Sequence, residues 1–421
     1  MRPLQAIMSD NRRYLIFRLV FFFIQMPVAV LMPYFFLHLR EVAGMTIPQI
    51  SYVSMVTGVA ILLTQQGWGY LADVHISKRR LIWINSLLAS LVFLAIAPFR
   101  SFGAILVGFF IYQILNTPIV QLLHGFLFIH PNSHHRFGLL RAWGSLGFVV
   151  ANIGIGFAAD KITGGNIGFI FPLMAILSMT GASLLMLLPE LPPMTGTRPT
   201  FMQVQSFFFR RPEVAAFLGV VLLYQAAHSF SYTVQSFLMR DMGADKGIVG
   251  MSYSLAALME LPFFFAANRI LRRFGELRVI AFAAVVQAIR WMLVWNATGP
   301  GEVVLISSLH GITFGCFYVS AVSYMNRHAG PQYKASAQTL VALAYFGVAQ
   351  LAGNFLGGMV AGDGWVARVV AGMVTFIGLA DRGPLRNLYI FSAALALLAA
   401  VFAMLLLRHE NRANARLSTC T

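Results

Sequence analysis

Of 14 acidic residues, Glu260 alone falls in the middle of an apolar run, within ALMELPFFFA at 257–266. A carboxylate placed there is costly unless it is neutralised or paired, so its partners decide what it is for. Three more ionisable residues, His228, Arg290 and His310, lie in neighbouring apolar runs. At 1.5 Å of helix per residue, Glu260 lies about 20 Å from the outer surface, His228 about 16 Å, His310 about 10 Å and Arg290 about 8 Å. The chemistry these types offer is proton exchange. In low dielectric a carboxylate holds its proton, and a guanidinium brought beside it releases that proton. Arg290, moved or occupied by a substrate oxyanion, would switch proton binding at Glu260, with His228 or His310 relaying the proton or binding the solute. A plainer reading stays open: a static Glu260–Arg290 bridge and two hydrogen-bonded packing histidines.

Such residues presuppose a membrane, and the composition supplies one. The 421 residues are 58% hydrophobic and only 10% charged, against about 25% charged in soluble domains. Twelve apolar runs, about 14–37, 50–71, 81–98, 102–129, 137–159, 166–188, 214–239, 247–271, 279–295, 303–325, 335–360 and 388–407, are long enough to span a bilayer. The expectation is an all-α polytopic membrane protein of 12 transmembrane helices.

The net charge of +16 is distributed by side. Segments on the N-terminal side of the membrane hold 19 of the 30 Lys and Arg, the opposite loops eight. That asymmetry places both termini in the cytoplasm and excludes a nucleic-acid role. Cys316 and Cys420 form no disulfide framework.

The runs fall into two sets of six. Residues 1–188 form one half, 189–212 a Pro- and Thr-rich cytoplasmic linker, and 213–421 the second half. Spans 5 and 11 are both glycine-spaced, with Gly144, Gly147, Gly154 and Gly156 in one and Gly347, Gly353, Gly357 and Gly358 in the other. Small residues at such spacing let helices approach closely. Two six-helix halves with sites at the midplane describe a rocking transporter. The stretch 361–386 is too short and interrupted to span and reads as an extra extracytoplasmic re-entrant or interfacial segment.

Other polar residues have modest readings. Arg18 snorkels to the cytoplasmic interface, and Arg141 opens span 5, where it either snorkels or faces a cavity. HPNSHHR at 130–136 resembles a metal cluster but has no acid or Cys beside it, so no metal is expected. Phe21 to Phe23 and Phe263 to Phe265 are lipid or packing surface.

GYLADVHISKRR at 69–80 resembles the loop 2–3 signature of the major facilitator superfamily, through Gly69, Leu71, Ala72 and Asp73 followed by a basic cluster. The resemblance implies a conformational latch formed by Gly69, Asp73, Arg79 and Arg80. Val74 stands where a basic residue is usual. Over nearly the whole chain the likeness is to the group containing lactose permease, nucleoside–proton symporters and phenylpropionate permeases. It is carried by FGLLRAWGSLGF (137–148), YQAAHSFSYTVQSFL (224–238), LMELPFFFAANRILRRFG (258–275), AIRW (288–291) and LHGITFGCFYVSAVSYMNR (309–327). It implies that Arg141 contacts substrate and that Arg290 and His310 belong to the site. Thr313 stands where lactose permease has its proton-carrying glutamate, and His124 where an acid is usual. Sugar specificity is therefore not supported, and Glu260, the acid left, becomes the candidate proton carrier.

These readings converge on a secondary active transporter with no enzymatic activity and no cofactor. It is expected to carry out proton-coupled symport of a small organic solute, an aromatic carboxylate, nucleoside or sugar-like compound, in a bacterial inner membrane as a monomer. Proton coupling falls to Glu260, Arg290 and His310, and substrate binding to Arg141, His228, His124 and Arg290, two arginines suited to an anion. Efflux by proton antiport is the alternative.

Overall fold

The computed structural model describes residues 10–128, 133–189, 210–329 and 334–418. Among them every regular element is helical. The first span runs through α1 (Asp10–Ala29), a π-helical turn (Val30–Phe35) and α2 (Phe36–Glu41). Helices α3 (Ile47–Val74), α4 (Lys78–Ile96), α5 (Phe102–Phe128), α6 (Ser133–Phe157) and α7 (Ile170–Leu185) complete the first six runs. The later runs are α8 (Pro212–Asp241), α9 (Lys246–Phe274), α10 (Glu276–Asn296), α11 (Pro300–Ser307) with α12 (Phe317–His328), α13 (Lys334–Ala342) with α14 (Gln350–Ala361), and α16 (Pro384–Ser418).

Eleven of these stretches are long and apolar enough to cross a membrane. The remaining run, expected over 166–188, is α7, apolar but only 16 residues long, a rise of about 24 Å. It begins late because its first residues are spent in a turn. Gly164 and Gly165 hold left-handed φ values of 60° and 92°, and Asn166 Oδ1 accepts from the Gly168 N–H at 2.7 Å. Helix α3 starts sharply for the opposite reason. Thr46 and Gln49 form a reciprocal capping box, and Pro48 sits in the first turn.

Contacts divide the chain into two units that do not follow chain order. One comprises Met1–Gly196 with Met239–Leu258, the other Thr197–Leu238 with Met259–Thr421. The adjoining ends of α8 and α9 thus belong with the first unit. The division of α9 falls between Leu258 and Met259, one turn before Pro262, which lacks the N–H for one helical hydrogen bond while the helix continues to Phe274.

In the first unit α1 packs on α6 and α7, and α4 on α5. Phe17, Phe21, Leu123, Phe126 and Leu185 share its core. The second unit is built on α10, which packs against α12 and α16, around Phe217, Tyr224, Ile280, Phe317 and Tyr345. Large apolar residues point outward as well: Leu63, Phe265 and Leu305 are 69%, 68% and 71% exposed, as a lipid-facing surface requires.

Several expected glycine contacts are real crossings. A Cβ on Gly147 would fall on the Phe22 backbone, and one on Gly353 would fall on Ala226 and Ser229, whereas Gly154 faces open space. The stretch after α14 forms α15 (Trp365–Phe376), 12 residues, followed by a turn with left-handed Gly378 and Gly383. Arg382 and Arg386 close that turn onto the end of α10. Their Nη1 atoms both donate to the Trp295 carbonyl, at 3.2 and 2.9 Å, and Arg386 also reaches the Ala297 carbonyl at 2.8 Å. Cations on the carbonyl end of a helix are electrostatically well placed.

Candidate functional site

Helix α10 brings Arg290 and Trp291 into the second unit, both with no exposed surface. A buried guanidinium is tolerated only with partners, and Arg290 finds them in an imidazole, a hydroxyl and two rings. Its Nη1 lies 2.8 Å from His310 Nδ1 and 3.4 Å from Thr313 Oγ1. Its Cζ stands 4.6 Å from the Trp291 ring centre and 5.6 Å from that of Tyr232, within cation–π range.

On its other side His310 faces the acid. Its Nε2 is 3.4 Å from Glu260 Oε1, a contact longer than a tight hydrogen bond. A guanidinium has no acceptor, so Nδ1 must accept from Arg290 and the neutral ring carries its proton on Nε2, toward Glu260. Glu260, His310 and Arg290 therefore form a line with the imidazole in the middle.

Local backbone chemistry makes that line. After His310 the chain passes through a π-helical turn, Gly311–Cys316, a feature frequent at functional sites. Gly311 and Gly315 bring it against α9: a Cβ on Gly311 would overlap the Met259 carbonyl, and one on Gly315 would lie 3.1 Å from Phe263 Cβ and 3.5 Å from the Glu260 carbonyl. The turn leaves main-chain groups out of helical register, and the Tyr224 hydroxyl bonds the Thr313 carbonyl. Gln287 Nε2 in turn donates to the Tyr224 carbonyl at 2.9 Å.

Flat rings surround the line. His228 lies 5.2 Å from His310 and 4.9 Å from Tyr232, and Tyr232 stacks on His310 at 5.0 Å with planes 7° apart. Phe314 and then Tyr318 continue this parallel series, each 5.6 Å from the ring before it. Glu260 itself is 8% exposed, on the buried face that Tyr253, Ala256 and Ala257 share. It does not face lipid.

The structure thus gathers Glu260, His310, Arg290 and His228. His124 and Arg141 lie in the first unit, where the His124 ring stacks on Phe21 at 5.8 Å. Of the loop signature, Gly69 lies inside α3 with nothing within 4 Å of where a Cβ would stand, and the Asp73 side chain lies outside the described residues. Arg79 donates to the Met186 carbonyl at 3.3 Å and to the Leu188 carbonyl, tying off the end of α7. The Arg80 N–H reaches Ser77 Oγ at 3.5 Å, at the start of α4. No group of three metal-ligating residues occurs among the described residues, and the side chains of His130, His134 and His135 lie outside them.

Tyr232 and Trp291 join the site although neither carries a charge that would mark it in an apolar run. The signal was present: Tyr232 is one helical turn from His228, and Trp291 is the neighbour of Arg290 in AIRW. An aromatic beside a buried arginine is a packing residue until the geometry shows the guanidinium over its face.

Known proteins place this architecture. The profile of the MFS_1 like family matches residues 14–371. Maltose permease of Geobacillus stearothermophilus is 25% identical over 403 residues, 95% of this chain and 96% of that one. The probable 3-phenylpropionic acid transporter of Escherichia coli is 24% identical over 266 residues, 61% of this chain and 67% of its own. The crystal structure of the nucleoside transporter NupG superposes with a TM-score of 0.76 at 16% identity, covering 93% of this chain and 98% of that one.

Proposed function

The chain belongs to the MFS_1 like family, and from that membership we propose that it is a proton-coupled symporter carrying a small organic solute by alternating access. That it is a transporter rather than an enzyme follows from the family and the fold. The proton coupling rests on one observation: the buried line of Glu260, His310 and Arg290, with His310 in contact with both ends.

In this reading Glu260 carries the proton. When it is ionised, the Nε2–H of His310 points at its carboxylate and Nδ1 takes a donor of Arg290. When it is protonated, the attraction that holds the imidazole on that side is lost, and the hold of His310 on Arg290 changes with it. A solute contacting Arg290 therefore competes for the same guanidinium, and solute and proton bias one arrangement of the site. Arg141 and His124 are assigned to solute contact in the first unit, His228 and the Tyr232 ring to solute contact in the second. Asp73, Arg79 and Arg80, with Gly69, serve the latch implied by the loop signature.

By the excess of Lys and Arg on the N-terminal side, both termini lie in the cytoplasm of a bacterial inner membrane and the loops after residues 41, 96, 162 and 241 face outward. The protein acts as a monomer.

The test is external pH in a lightly buffered suspension of expressing cells, with maltose, nucleosides and 3-phenylpropionate added in turn to wild type and Glu260→Gln. Alkalinisation by one solute that disappears in Glu260→Gln supports symport through this acid. Alkalinisation that survives in the variant returns Glu260 to a packing role. Acidification on solute addition would instead indicate antiport.

A further inference from the structure

Helix α15 (Trp365–Phe376) meets three different surroundings around its circumference. At about 100° of turn per residue, Trp365, Val369, Met373 and Phe376 fall in one arc of about 80°, Ala367, Val370 and Val374 in a second, and Arg368 and Thr375 in a third. The second arc is buried, and α15 packs on α14 and α16. The third is polar and exposed. The first is exposed too, yet entirely apolar: Trp365 is 65% exposed, Val369 46%, Met373 61% and Phe376 91%.

A helix on a protein surface in water needs only two arcs, one buried and one polar. Scattered apolar exposure is ordinary, but four large apolar side chains in line on a third arc call for a third medium. The neighbours say which. Helices α14 and α16 turn Phe355, Leu356, Leu397 and Leu398 outward, each at least 39% exposed, so lipid already covers the two helices on which α15 rests. That lipid is too thick for α15 to cross: its 12 residues rise about 18 Å, against the ~30 Å of a hydrocarbon core. A short helix with one apolar stripe, a Trp at its start and a polar edge lies in the plane of the interface. The chain then turns at left-handed Gly378 and reaches Arg382 and Arg386. Besides its carbonyl bonds to the end of α10, Arg382 sets its Cζ 4.6 Å from the Trp295 ring centre and donates from Nη2 to Asn296 Oδ1 at 3.2 Å.

We propose that α15 is a membrane anchor: its Trp365–Val369–Met373–Phe376 stripe lies at the boundary of headgroups and acyl chains in the outer leaflet, and the turn behind it holds the outer end of α10 at that depth. Arg368 and Thr375 face water on the same helix. Because α10 carries Arg290, the anchor fixes the level of that guanidinium against the bilayer surface, through the Arg382 and Arg386 bonds to the Trp295 carbonyl. The choice of leaflet rests on the orientation proposed above; the depth does not, since it is counted from whichever surface α15 meets.

The test places a spin label at one position at a time. Arg368→Cys, Val369→Cys, Met373→Cys, Thr375→Cys and Phe376→Cys are made in full-length protein carrying Cys316→Ser and Cys420→Ser, labelled, and reconstituted into liposomes. All five positions are exposed, so the labels disturb no core. Labels at 369, 373 and 376 are expected about 5–10 Å below the phosphates, colliding more with oxygen than with a water-soluble nickel chelate. Labels at 368 and 375 should favour the chelate. Chelate-favoured collisions at all five positions put the stripe in water and overturn the anchor. Labels at 369, 373 and 376 that neither reagent reaches mean that another protein chain covers the stripe, which overturns it too. The hold on α10 is read separately, by hydrogen exchange of amides 293–297. Val369→Asp with Phe376→Asp should speed it roughly fivefold, the size of a lost charge interaction at a helix end, and Thr375→Asp, on the wet arc, should leave it unchanged. Equal exchange in wild type and the double variant, or equal acceleration by Thr375→Asp, overturns the hold. Neither solute nor a proton gradient enters these measurements, so their outcome is independent of whether transport is proton symport.

Discussion

His310 Nε2 stands 3.4 Å from Glu260 Oε1, and the same ring accepts from Arg290 through its other nitrogen at 2.8 Å. Acid and guanidinium thus communicate through an imidazole, which a sequence reading of Glu260 and Arg290 as a pair does not include. The two amide replacements separate its two sides. His310→Asn keeps an acceptor near the Nδ1 position, and His310→Gln keeps a donor near the Nε2 position. Both are expected to lower proton-driven uptake by roughly tenfold or more, the size of a typical coupling between sites. Only His310→Asn should retain solute exchange at fixed pH, measured as counterflow. Equal counterflow in the two variants would remove the directional role given to the ring.

The membrane class, the order of spans and the buried face of Glu260 were legible because they depend on hydropathy and helical periodicity alone. Tyr253, Ala256, Ala257 and Glu260 stand at helical spacing, and the face they share is buried. The location of His310 between Glu260 and Arg290 was not legible, since it depends on a π-helical turn at Gly311–Cys316 and on a glycine crossing with α9. No local propensity announces either one. The contacts of Lys246 with Asp160 and Glu41 were hidden for a different reason: they join residues more than 80 positions apart, and no local spacing announces such pairing. The shortened α7 shows the limit of hydropathy itself, because Ile167 and Gly168 are as apolar in a turn as in a helix.

Gly311→Ala tests the crossing that creates the site. Its Cβ would overlap the Met259 carbonyl, and relief requires a shift of α9 at Glu260; at Gly315 the nearest atom is Phe263 Cβ at 3.1 Å. Overpacking of this kind costs about 1–3 kcal/mol. Gly311→Ala should therefore lower the Tm in detergent clearly and Gly315→Ala less, read by intrinsic fluorescence. The Gly311 variant should also lose more of the pH dependence of uptake than of uptake itself, because the Glu260–His310 distance is what shifts. Equal Tm values for the two variants would mean that α9 has room to move there.

The loop signature implies a latch role for Arg79, and its guanidinium ties off the Met186 and Leu188 carbonyls at the end of α7. Those two roles separate experimentally. A lost cap at an end of a 16-residue helix costs about 1 kcal/mol, so Arg79→Ala should lower the Tm whether or not solute is present. Arg79→Lys, which keeps the charge but not the fork, should recover part of it. A Tm unchanged in Arg79→Ala alongside a loss of uptake would assign the residue to the latch alone.

The turn between α15 and α16 carries a titratable anchor outside the spans. Asp381 Oδ1 accepts from the Gly383 N–H at 2.9 Å and from Asn387 Nδ2 at 2.7 Å. These bonds to the ionised form hold its carboxyl below the ordinary 3.8. A depressed folded value means that the contribution is complete above the ordinary value and is lost as pH falls through the folded one. The window is therefore below about pH 4. The side chain is solvent-exposed, so the effect is local, but the next residue is Arg382, whose guanidinium caps α10 a turn and a half beyond Arg290. Hydrogen exchange of amides 377–388 should accelerate, beyond its intrinsic pH dependence, on acidification through that window in wild type. Asp381→Asn should exchange faster at neutral pH and show no such step. A step that persists in Asp381→Asn would assign the acid sensitivity of the turn to another group.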